Sequence, residues 1–244
     1  MAVLRLDIAY DGTGFKGYAR QDGQRTVQGE LEAAIVTFLK TEVDTAVAGR
    51  TDAGVHARRQ VVSFRFDGEL DVERFQRALN GIIGPEAAVL AVSRADDDFN
   101  ARFSATWRRY RYRLDTRSFH DPLTRHFVWH AGRPLDVAAM TATARGFVGE
   151  YDFSSFCRSL EERSNVREVT ELSLESSDGL IDVWIQANAF CHQMVRSIVG
   201  YLFDVGRGYS DGSRVREVIA ARDRSAVATV APAHGLTLWE VGYD

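Results

Sequence analysis

The 244-residue sequence predicts an α+β protein of two ferredoxin-like halves, each reading βαββαβ. Strand-like alternation and amphipathic helical stripes follow that order over residues 3–93, and the order returns over residues 106–242. No linker rich in Pro, Gly or Ser separates the two stretches. The halves are therefore set at residues 1–103 and 104–244, with a shared core rather than mobile domains. In this arrangement the two sheets join edge to edge, and a cleft lies where they meet.

Taken in order, residues 3–10 alternate like a half-buried strand and stop at the turn signal Asp11-Gly12-Thr13-Gly14. A loop over residues 15–25 carries Lys16, Tyr18, Arg20 and Arg25. Thr26 then reads as a helix N-cap, with Gly29-Glu30 at capping-box spacing, before the stripe Val27, Leu31, Ala34, Ile35, Phe38 and Leu39. Strands over 43–48 and 60–66 flank a polar loop, a helix covers 72–80, and Gly84-Pro85 breaks the chain ahead of a strand at 88–93. In the second half, a strand at 106–115 precedes a helix at 136–147, which Pro134 introduces. Strands at 169–175 and 180–186 form a hairpin about Ser177-Asp178-Gly179. Helices at 191–205 and 215–221 and a strand at 237–242 complete the chain.

Composition narrows the function. Thirty basic against thirty-four acidic residues give a net charge of −4, which argues against a generally cationic nucleic-acid binder. Any polyanion site must come from local clustering, and nearly every basic residue is Arg, since Lys occurs only at 16 and 40. The N-terminus starts directly with strand-like sequence, and no apolar run approaches the ~18 residues of a membrane span. The two cysteines, Cys157 and Cys191, lack a CxxC spacing or a partner-rich setting. A disulfide or structural zinc is thus not expected, and a soluble protein of the reducing cytoplasm is.

Three stretches can carry chemistry. The first is Ala48-Gly49-Arg50-Thr51-Asp52-Ala53-Gly54-Val55-His56, a carboxylate among small residues with a cation two positions away. Small residues let a flat substrate approach the backbone, and a positive neighbour favours an ionised Asp. The plain alternative is a turn cap or a surface pair with Arg50. The second stretch, residues 102–117, holds six arginines against the single acid Asp115. On a strand, Arg109, Arg111 and Arg113 share one face, and Arg108, Tyr110, Tyr112 and Leu114 share the other. Arginines interleaved with tyrosines suit RNA, with guanidinium on phosphate and rings against bases; a solvated face over core tyrosines fits equally. The third is the 191–205 helix, where Arg196 sits at the edge of the arc Met194, Val195, Ile198, Val199, Leu202 and Phe203, beside His192. A half-buried Arg needs a carboxylate partner, Asp52 or another.

Other chemistries lack their residues. Asp52, His56 and His192 do not complete a set of three or four metal ligands, and no P-loop or GxGxxG pattern offers a nucleotide cofactor site. Ser154-Ser155 lacks a nucleophile-elbow setting.

Together the pieces closely resemble the bacterial TruA family of tRNA pseudouridine synthases. The blocks that carry the resemblance run in the family's order along nearly the whole chain. They are Tyr10-Asp11-Gly12-Thr13, Arg20-Gln21, Thr26-Val27-Gln28, the Gly49–His56 octet, Ala101-Arg102-Phe103-Ser104-Ala105 with Arg109-Tyr110-Arg111-Tyr112, Asp152-Phe153-Ser154-Ser155-Phe156, Asn188-Ala189-Phe190, residues 194–200, and Gly235-Leu236. The resemblance implies isomerisation of uridine to pseudouridine at positions 38, 39 and 40 of the tRNA anticodon stem-loop. It also implies a central, mostly antiparallel sheet of the pseudouridine synthase type shared by the halves, a homodimer whose clefts accept tRNA, and neither cofactor nor metal.

Residue by residue, Asp52 matches the family's catalytic aspartate and Arg50 the arginine linked to base flipping. Tyr110 matches the tyrosine that packs on the target base, and Arg196 the arginine that salt-bridges the aspartate. Arg109, Arg111 and Leu236 complete the expected substrate contacts. Three departures are visible: Tyr18 where relatives usually have Trp, Asn100 where His is common, and Cys191 in a segment that often reads Phe-X-His-His. The main rival is a non-catalytic RNA-binding protein of the same fold, which the presence of Asp52, Tyr110 and Arg196 disfavours.

Overall fold

The computed structural model describes residues 2–158 and 164–243. Its chain divides into two compact units, one formed by Met1–Thr106 with Leu238–Asp244 and the other by Trp107–Thr237. The fold is mixed α+β, and its strands pair mostly antiparallel.

The first unit contains β1 (Ala2–Tyr10), α1 (Val27–Leu39), β2 (Ala46–Val47), β3 (His56–Phe66), α2 (Val72–Ile82) and β4 (Ala87–Ala95). β1 runs antiparallel to both β3 and β4, so Leu6 faces Val62 on one side and Val92 on the other. Alternation along β1 buries Leu4, Leu6, Ile8 and Tyr10 on one face. The helices close over this core, where the Phe75 ring of α2 lies 5.3 Å from Phe38 of α1 and 6.3 Å from Phe64 of β3. Burying each such side chain contributes on the order of 2 kcal/mol. The expected cap of α1 is present, with Thr26 Oγ1 accepting from the Gly29 N–H.

The second unit contains β5 (Trp107–Asp115), β6 (Trp129–His130), α3 (Val137–Ala144), β7 (Gly149–Asp152), β8 (Val166–Ser177), β9 (Leu180–Ala187), α4 (Met194–Gly206) and α5 (Val215–Ala221). The final strand, β10 (Leu236–Gly242), begins in this unit and passes into the first at residue 238, where it pairs beside β3. Within the second unit the strands lie in the order β5-β9-β8-β7, and β6 runs parallel to the end of β5. α4 is the buried element: apart from Arg196, every one of its residues is shielded from solvent. Rings of Phe147, Phe153, Phe156 and Tyr201 meet edge-on against it at 5.1–6.4 Å.

Three local differences from the expected elements have physical causes. The helix expected from residue 191 starts at Met194, because Gln193 adopts a left-handed φ of 65° and interrupts any earlier turn. The helix expected to reach residue 147 tightens into a 3₁₀ turn over Arg145–Phe147. β6 and β7 have two and four residues, too few to display a period.

The expectation of unpaired cysteines is overturned: Cys157 and Cys191 form a disulfide, with Cα atoms 5.7 Å apart. The pairing arises from topology rather than spacing. The Arg158 N–H donates to the His192 carbonyl at 2.9 Å, which lays the two segments side by side across a separation of 34 residues. No helix among the described residues is long and apolar enough to cross a membrane.

Unreduced protein, once denatured, should expose no reactive thiol, and reduced protein should expose two. Opening the 34-residue loop should lower the unfolding free energy by about 4 kcal/mol on the chain-entropy account. Thiol titration and denaturant melts with and without a dithiol reductant check both values. Two titratable thiols without reductant would contradict the pairing.

Candidate active site

In the first unit the Gly49–His56 stretch forms the loop between β2 and β3, and strand residues hold it on both sides of Arg50. The fully buried Gln60 donates from Nε2 to the Gly49 carbonyl at 2.7 Å and to the Tyr10 hydroxyl at 3.3 Å. Tyr10 Oη lies 2.8 Å from Thr51 Oγ1. Either hydroxyl can donate in that pair. Burial pushes the Tyr10 hydroxyl up to about 12, against the opposing hydrogen bonds from Thr51 and Gln60, so it stays protonated near neutrality. The Tyr18 N–H adds a third tie, to the Thr51 carbonyl at 3.0 Å.

Beyond Asp52 the chain turns tightly, with the Val55 N–H on the Asp52 carbonyl at 3.1 Å and Gly54 at a φ of 79°. Gly54 therefore serves the backbone, where the sequence suggested clearance for a substrate. Gly12 packs directly beneath the Val55 carbonyl, where a Cβ would collide. His56 Nδ1 lies 3.0 Å from the Gly12 N–H and 3.1 Å from Asp11 Oδ1, so this buried ring is committed to the turn after β1. The outcome is a fixed frame that leaves the Arg50 side chain exposed and Asp52 half-buried.

In the second unit the alternation expected of β5 holds. Arg108, Tyr110, Tyr112 and Leu114 are buried, while Arg109, Arg111 and Arg113 lie on the opposite face. The Tyr110 ring stands edge-on to Phe190 at 5.1 Å and 89°. The arginine face is not bare positive charge. Arg113 holds Asp182 bidentately at 2.7 and 2.6 Å, Arg109 reaches Glu171 at 3.2 Å, and Arg111 lies 4.0 Å from Asp182. Arg109 also covers Trp184, its guanidinium 5.1 Å from the ring centre. Tyr110 and the Arg109/Arg111 pair thus project from opposite faces of one strand.

Arg196 sits on the first turn of α4, and the segment after α5 fixes its base. Its Nε donates to the Ala231 carbonyl at 2.8 Å, and the Ala231 N–H returns a bond to the Arg196 carbonyl at 3.0 Å. One residue on, the Pro232 carbonyl accepts from the Tyr112 hydroxyl at 2.8 Å. Gly235 lies so close to the Tyr112 ring that a Cβ would stand 2.5 Å from it. Leu236 follows, buried, at the start of β10. Tyr112 thereby joins β5 to the Arg196 segment. Its hydroxyl is pushed well above its ordinary range by burial, with the Arg196 charge pulling the other way.

Sequence reasoning missed the supports: Gln60, Tyr10 and Thr51 in one unit, Tyr112, Ala231 and Phe190 in the other. For Gln60 a signal existed, a polar residue opening the apolar run Val61-Val62. Replacing Gln60 by Leu should leave the Gly49 carbonyl without this donor and cost about 1–3 kcal/mol. Amide exchange over residues 49–55 should then rise at least about tenfold, while β5, β8 and β9 keep their protection. Unchanged exchange in the loop would contradict the bracing role.

The sequence has relatives among known proteins. Residues 8–104 and 143–244 match the family model of tRNA pseudouridine synthase. The tRNA pseudouridine synthase A of Streptomyces avermitilis is 46% identical over 98% of this chain and 87% of its own. That of Bacillus subtilis is 40% identical over 99% of both chains. A solved H/ACA RNP bound to a substrate RNA containing 2'-deoxyuridine aligns with a TM-score of 0.38 and 13% identity, over 84% of this chain and 44% of that one, too distant to argue from. On its sequence relatives, the chain belongs to the tRNA pseudouridine synthase family, whose members are isomerases.

Proposed function

We propose that this enzyme converts uridine to pseudouridine at positions 38, 39 and 40 of the tRNA anticodon stem-loop, with Asp52 as the essential carboxylate and the target base flipped from its stack. The observation that carries the reading is the braced loop, in which Thr51 is tied to Tyr10 and Tyr18, Gln60 backs Tyr10, and the reactive type of side chain follows at once. The conversion breaks the N1–C1′ bond, turns the base and forms a C5–C1′ bond. It moves no electrons to or from a carrier and transfers no group, so its demand is for an ionised carboxylate and a route for one proton.

Asp52 attacks the sugar or base, or removes a sugar proton. Arg196 is the cation that favours its ionised form, and its own position is set by Ala231. Tyr110, stacked edge-on to Phe190, packs on the target base and accepts or relays the C5 proton after re-attachment. Extruding a base costs a few kcal/mol, and the exposed Arg50 offsets this by filling the vacated space. Leu236 is an apolar contact for the flipped base. Arg109 and Arg111 face phosphate from the other side of β5, their charge already moderated by Glu171 and Asp182. The working form is a homodimer.

Purified protein incubated with unmodified tRNA should leave pseudouridine at positions 38–40 and nowhere else, as read by carbodiimide-dependent reverse-transcription stops. Modification at other positions, or none in a tRNA carrying uridine there, would overturn the reading.

A further inference from the structure

Phe103 is left unexplained by the reaction. Its ring is 78% exposed, although it belongs to the Ala101–Ala105 block that carries part of the family resemblance. A phenylalanine on a slack loop would fold back onto the surface; this one is held away from it by a rigid turn. Asn100 Oδ1 accepts from the N–H groups of Arg102 at 2.9 Å and Phe103 at 3.2 Å. The Asn100 N–H donates to Ser104 Oγ at 3.0 Å, and the Ser104 N–H to the Asn100 carbonyl at 2.9 Å.

Beneath the turn, the fully buried Ala101 is tied on both sides of its peptide. Its N–H donates to Ser63 Oγ of β3 at 2.9 Å, and its carbonyl accepts from the Tyr243 hydroxyl at 2.7 Å. Phe99 packs on Tyr243 at 5.0 Å, and the Arg5 guanidinium covers Tyr243 at 4.9 Å. Asn100 thus acts as the turn's own cap. At the tip, the exposed Arg102 guanidinium lies 5.2 Å from the Phe103 ring centre.

We propose that Phe103, with the positive charge of Arg102 beside it, is a stacking platform for an unpaired nucleobase of the substrate tRNA, apart from the reacting carboxylate. A flat, preordered ring binds a base face with little ordering cost, and the neighbouring guanidinium suits the phosphate that accompanies each base. The inference rests on tRNA being the substrate, and not on the chemistry assigned to Asp52.

The test compares tRNA affinity of wild type with Phe103→Ala, Phe103→Leu and Phe103→Trp, together with turnover at saturating tRNA. Exposure of the ring predicts unchanged melting for all three. The Ala and Leu variants should bind about tenfold more weakly, Trp should bind like wild type, and saturated turnover should be unaltered. Wild-type affinity in the Ala variant would overturn the proposal, as would full rescue by Leu, which signals apolar packing rather than stacking. A change in sedimentation mass of Phe103→Ala without loss of RNA affinity would assign the ring to a protein contact instead. Should the wild-type enzyme form no pseudouridine while the Ala variant still loses affinity, the isomerase reading fails and the platform stands.

Discussion

The interaction on which the candidate site depends is the hydrogen bond from buried Gln60 to the Gly49 carbonyl, together with its link through Tyr10 to Thr51. A loop of small residues has high conformational freedom, and a reacting carboxylate tolerates little of it. Here the freedom is removed from beneath by side chains of β1 and β3 rather than by bulk in the loop. That solution keeps the loop's upper side low, with Arg50 exposed and Asp52 half-buried. It also explains why a glutamine and a tyrosine occupy otherwise apolar inward positions: each is fully used in hydrogen bonding, so its burial carries little penalty.

The second unit applies the same principle to a cation. Arg196 emerges from a helix whose other residues are buried, and one side-chain and one main-chain bond join it to Ala231. Tyr112 then fixes the same segment through Pro232 and leaves room only for glycine at 235. In each unit a buried tyrosine kept protonated by its surroundings supports a segment that bears or holds the charged group.

Much of this was legible in the sequence where the signal is local. The Thr26 cap, the alternation of β5 and the order of strands and helices follow from period and capping chemistry over a few residues. The Gly49–His56 octet was legible as a candidate site because charge and small residues coincide between two apolar strands. Long-range partners were not. The acids that moderate Arg109 and Arg113 lie 62 and 69 residues away, and the disulfide joins cysteines 34 residues apart that no spacing pattern links. Gln60 looked like the polar start of a strand until its donor reached Gly49. The late start of α4 turns on one left-handed residue, Gln193, which carries no glycine signal.

The braced loop is proposed to present a reacting carboxylate, Asp52. Asp52→Asn keeps the shape and removes the charge, so its single-turnover tritium release from tRNA labelled at uridine C5 tests the claim directly. A fall of at least about a thousandfold is expected, with tRNA affinity within a few-fold of wild type. Release within tenfold of the wild-type rate would contradict it.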